Sequence, residues 1–75
     1  MSPRTPTLKA KDVIRCLKKL GFVEARKKGS HVILQSLSGW STVVPPHKGE
    51  DIGKGLLRAI LREANVTPEE FFDLL

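Results

Sequence analysis

The stretch Phe22-Val23-Glu24-Ala25-Arg26-Lys27-Lys28-Gly29-Ser30-His31-Val32-Ile33-Leu34-Gln35 decides the fold. It reads as two short extended runs split by Lys28-Gly29, a pair suited to a hairpin turn. A third such run follows Ser36-Leu37-Ser38-Gly39, so the spacing predicts a three-stranded antiparallel meander over residues 22–27, 30–35 and 40–45. In the middle strand Ser30, Val32 and Leu34 point to one side, and His31, Ile33 and Gln35 to the other. Each side carries an apolar residue, so alternation alone leaves open which face meets the rest of the chain.

Helical periodicity flanks this meander. Val13, Ile14, Leu17 and Leu20 recur on one face, and Gly21 follows where a glycine commonly ends a helix, giving a first helix over residues 10–21. Pro45-Pro46 ends the sheet, because proline cannot donate to the ladder. Ile52, Leu56, Leu57, Ile60, Leu61 and Ala64 then set a second helix over residues 53–64. Thr67-Pro68-Glu69-Glu70 is a capping box with proline at the first helical position, opening a short last helix whose apolar side is Phe71, Phe72, Leu74 and Leu75. Residues 1–9, with Pro3 and Pro6 and no apolar period, read as a loose arm, and residues 10–75 as one domain. The expected fold is α+β, an α-β-β-β-α order with an additional short C-terminal helix. This order is similar to the layout of double-stranded-RNA-binding domains, in which both helices cover one sheet face.

At 75 residues there is room for one small core and for no second domain or large cofactor cavity. The single cysteine, Cys16, excludes an internal disulfide, and no zinc-type cluster of Cys and His occurs. Cys16 lies at the flank of the apolar stripe and reads as a buried, inert thiol. No apolar run spans a bilayer and no signal-peptide pattern opens the chain, so a cytoplasmic location is expected.

Charge is polarised along the chain. Residues 1–28 hold nine basic and two acidic side chains, a local net of +7, whereas residues 63–75 hold four acids and no base. Lys11, Arg15 and Lys18 or Lys19 line one face of the first helix with only Asp12 nearby in sequence, and Lys54, Arg58 and Arg62 line the second. Like charges at that spacing repel slightly, so the pattern favours a polyanionic partner over a merely solvated face.

Two histidines occur, His31 and His47, each beside lysine and glycine. A lone histidine at a strand start is ordinarily a surface group with a satisfied hydrogen bond, and its neighbours set this pair apart. Gly49 to Gly55 does not form a phosphate loop, because the glycine–lysine spacing is wrong and Glu50 and Asp51 would repel phosphate. Trp40 reads as partly buried at the sheet edge, ahead of base stacking or partner contact.

At these residues the chain resembles the HicA toxins, small endoribonucleases of bacterial toxin-antitoxin pairs. The resemblance is carried by Lys11-Asp12-Val13-Ile14 with Leu17, Gly21-Phe22, and Arg26-Lys27-Lys28-Gly29-Ser30-His31. It continues through Val43-Val44-Pro45-Pro46-His47-Lys48-Gly49, Gly55 with Leu57-Arg58-Ala59-Ile60-Leu61, and Ala64-Asn65-Val66, covering about residues 10–75. It implies a double-stranded-RNA-binding-type fold, metal-independent mRNA cleavage with His31 as the catalytic residue and no cofactor, and inhibition by a HicB-type antitoxin covering the site. Ala10 departs from a Ser or Thr helix cap common in the family, Leu56 replaces a common Thr, and the proline-containing arm is extra.

The chemistry of His31 can also be argued directly. RNA carries its own nucleophile, the 2′-OH, so cleavage requires a base, an acid for the departing 5′-oxygen and cations around the phosphorus. Imidazole, with an ordinary pKa of about 6.5, supplies a neutral base at physiological pH. Lys28, His47 and Ser30 are auxiliary candidates, with His47 the obvious acid and an RNA contact or a loop role its alternatives. Lys11, Arg15, Lys18, Arg26, Lys27, Lys48, Lys54 and Arg58 are the expected RNA-binding set. The alternative readings are a non-catalytic RNA-binding module on the same scaffold and an interaction protein whose basic surface matches an acidic partner.

Overall fold

A computed structural model of the chain describes residues 8–29, 31–45 and 51–75. The order is α1 (Ala10–Lys19), β1 (Val23–Lys28), β2 (His31–Gln35), β3 (Ser41–Val44), α2 (Lys54–Ala64) and α3 (Pro68–Phe72). The α+β expectation holds. The sheet is antiparallel with strand order β1-β2-β3.

Local chemistry explains where each helix starts and stops. α1 ends two residues earlier than its periodicity suggests, because Gly21 at φ 101° turns the chain back. The Gly21 N–H then donates to Lys18 C=O at 3.0 Å and the Phe22 N–H to Leu17 C=O at 3.0 Å, satisfying two terminal carbonyls. α2 ends the same way with a residue other than glycine. Asn65 sits at φ 58°, its N–H donating to Arg62 C=O, and the Val66 N–H donates to Leu61 C=O at 2.9 Å. At α3 the expected capping box is present: Glu70 N–H donates to Thr67 Oγ1 at 3.1 Å and Thr67 N–H to Glu70 Oε1 at 3.0 Å.

The start of α1 uses a different cap. With Lys9 and Ala10 offering no side-chain acceptor, the Asp12 carboxylate reaches back to take the Lys9 N–H at 3.3 Å. Leu8 and Lys9, the last two residues of the segment read as an arm, contact the segment before α2, and residues 1–7 lie outside the described residues. Leu8 forms an isolated antiparallel bridge with Ile52, whose N–H donates to Leu8 C=O at 2.6 Å, and Lys9 Nζ lies 3.0 Å from Asp51 Oδ1. The reason is long-range pairing with the segment before α2, which no local pattern announces.

The open question of the sheet face is resolved by packing. Val32, Leu34, Thr42 and Val44 are buried on one side, in a single core with Val13 and Leu17 of α1 and Leu57, Ile60 and Leu61 of α2. Both long helices therefore cover the same face. Thr42 is the buried polar residue among those described, and its hydroxyl donates to Ile60 C=O at 3.0 Å, joining β3 to α2. Phe71 of α3, fully buried, closes the helix side of this core. Burial of a side chain that size contributes about 1.5–3 kcal/mol.

Candidate active site

Neither long helix covers the other sheet face, and His31 stands on it, exposed among the described residues. In antiparallel pairs directly opposed residues share a face. Lys28 opposes His31, Arg26 opposes Ile33, Val23 opposes Gln35, and Val43 opposes Ile33 from the far side. A register irregularity between Glu24 and Arg26 leaves Ala25 unpaired. That extra residue is decisive, since strict alternation from Val23 would turn Arg26 and Lys28 toward the helices. With the bulge, Arg26 and Lys28 share the open face with His31. The tight turn follows from Gly29, whose φ of 63° favours glycine.

His31 is exposed, and among the described residues its imidazole takes part in no hydrogen bond or ion pair. It stands at the first residue of β2, beside an apolar strip made by Val23, Ile33 and Val43, of which Val23 is 62% and Val43 39% exposed. An imidazole so placed is accessible to a bound molecule. Arg26 and Lys28 can balance negative charge developing next to it.

The other expected site residues divide. Lys27 opposes buried Val32 and so belongs to the helix-side face, at the exposed edge strand. Ser30, His47 and Lys48 lie outside the described residues. On α1 the basic stripe is less bare than its sequence suggests. Arg15 is bound to Asp12 at 2.9 Å, and Lys18 to Glu24 at 2.8 Å, while Lys19 Nζ donates to Leu74 C=O at 3.4 Å. Glu24 comes from β1, so its pairing could not be read from the helix alone. Lys11 is exposed and, among the described residues, unpaired. Lys54 and Arg58 line a cavity of about 430 Å³ between α2 and α3 with Leu57, Leu61, Pro68 and Phe72. They are not brought to the face of His31 by any pairing in the sheet. Sequence reasoning missed this cavity because α2 and α3 meet only in three dimensions.

Trp40 precedes β3 in a loop closed by Ser36, whose N–H donates to Trp40 C=O at 2.8 Å, and it is 47% exposed. Among the described residues no group of three or more His, Cys, Asp and Glu is placed to hold a metal ion, and no helix is long and apolar enough to cross a membrane.

A helix, a three-stranded meander and a second helix, with both long helices on one sheet face, make this an α+β domain whose layout is similar to that of double-stranded-RNA-binding domains. Compared with known protein families, residues 10–66 match the HicA toxin of bacterial toxin-antitoxin systems. The match spans well over half of the chain, which belongs to the HicA toxin family and so to a toxin-antitoxin context. Comparison with curated proteins gives no match.

Proposed function

We propose that this chain is a metal-independent endoribonuclease toxin that cleaves mRNA with His31 and is restrained by a HicB-type antitoxin. The observation that carries this reading is an exposed imidazole opposite Lys28, on the sheet face that the helices leave open. His31 takes the proton from a ribose 2′-OH. The 2′-oxygen attacks the adjacent phosphorus and the bond to the 5′-oxygen breaks, leaving a 2′,3′-cyclic phosphate. The departing oxygen takes up a proton, for which His47 is the candidate acid. Lys28 and Arg26 offset the charge gathering on the phosphate oxygens. Lys11, exposed on α1, is a further cation for RNA on the helix side of the sheet. One general base of this kind contributes about 10²–10⁴-fold, enough for a slow regulatory nuclease.

The test is expression of the wild type and His31→Ala, with growth arrest and RNA cleavage followed in the presence of EDTA. Cleavage by the wild type alone, undiminished by EDTA, is the expected result. Equal cleavage by both proteins removes His31 from the mechanism. Binding without cleavage by either, with strong salt dependence, makes the chain an RNA-binding module instead.

A further inference from the structure

The groove between α2 and α3 is not used by the proposed chemistry. Its cavity of about 430 Å³ continues into a second of about 210 Å³, with Arg58, Leu61 and Pro68 common to both. The floor is apolar, made by Leu57 and Leu61 with Phe72 and Val66 at the sides. One rim is cationic. Lys54, Arg58 and Arg62 follow at i, i+4 and i+8, one helical turn apart, all three exposed, and among the described residues none has a carboxylate partner. The opposite wall is α3, which carries Glu69 and Glu70, followed by Asp73, and no base. Pro68 and Phe72 lie beyond residue 66, where the family match ends, so the groove is built partly by a segment outside it.

From this geometry we infer that the α2–α3 groove docks an acidic amphipathic segment of a partner protein. Apolar side chains of that segment fill the floor, and its carboxylates face Lys54, Arg58 and Arg62. An RNA strand fits less well, because Leu57, Leu61, Val66, Pro68 and Phe72 of the lining are apolar and suit the apolar side chains of a peptide better than a uniformly charged backbone. Helix-in-groove recognition of this sort uses apolar anchors at i, i+3, i+4 and i+7 with charge at the rim. The inference does not depend on RNA cleavage. If the chain works as proposed, its antitoxin is the first protein in which to seek such a segment.

The experiment uses the full chain carrying His31→Ala, so that binding is read apart from any nuclease activity. The probe is a fluorescein-labelled synthetic helix with Leu at the four anchor positions and Glu along one flank of that face, followed by fluorescence anisotropy and by amide chemical shifts. Saturable binding is expected, with shifts centred on Leu57, Leu61 and Phe72. Adding Arg58→Glu and Arg62→Glu together should weaken it by at least about tenfold, and a control peptide with Lys in place of Glu should not bind. Because both arginines are exposed, circular dichroism should show the double variant folded. Absence of saturable binding, equal binding by the double variant, or shifts confined to the open sheet face would each overturn the inference. So would an RNA oligonucleotide that reproduces the shifts at Leu57, Leu61 and Phe72.

Discussion

Lys28 and His31 oppose one another across β1 and β2, at the end of the ladder closed by Gly29, on the face away from both long helices. Neither side chain supports the core, so both can be altered without unfolding the chain. Lys28→Ala is expected to keep its circular dichroism spectrum and lower RNA cleavage by about tenfold, while Lys28→Arg keeps most of the rate. Unchanged cleavage by Lys28→Ala would separate this ammonium from the chemistry.

Phe71 ties α3 into the core, although the family match ends before it. Phe71→Ala should cost about 3–5 kcal/mol, comparable to the whole stability of a domain this small. Urea titration monitored by circular dichroism should find the variant largely unfolded without denaturant. A stable variant would mean that α3 is dispensable.

Lys18 donates to Glu24 at 2.8 Å and, with its charge close by, holds the Glu24 carboxyl below its ordinary pKa. A carboxyl depressed in the folded chain adds stability above the ordinary glutamate range and loses it as pH falls through the folded value. Glu24→Gln should therefore be less stable than the wild type near neutral pH, and the two should converge on acidification. Denaturant titrations across a pH series would check this, and a difference independent of pH would refute it. Because the pair is exposed, added salt should shrink the difference as well.

Burial pushes the Cys16 thiol up from its ordinary pKa, and its Sγ lies 3.8 Å from Leu74 C=O. Native protein should resist a thiol reagent at neutral pH and react once unfolded in urea. Rapid labelling of the folded chain would show that the contact between α1 and the C-terminal segment opens readily.

Sequence alone determined the elements and their punctuation. Apolar spacing marked both long helices, Gly21 stopped the first, and Thr67 with Glu70 started the last, because these signals act within one or two turns of chain. It also singled out His31 by its neighbours. Tertiary structure decided what those elements present to the outside. Val32 and Ile33 look alike in a strand pattern, and only the docking of α1 and α2 buried the first and left the second beside His31. The bulge at Ala25 put Arg26 and Lys28 on that same face, and Glu24 neutralised a lysine of α1 from another element. Periodicity is a property of neighbouring residues, whereas the choice of face, the partner of a charge and the groove between α2 and α3 depend on residues far apart in the chain.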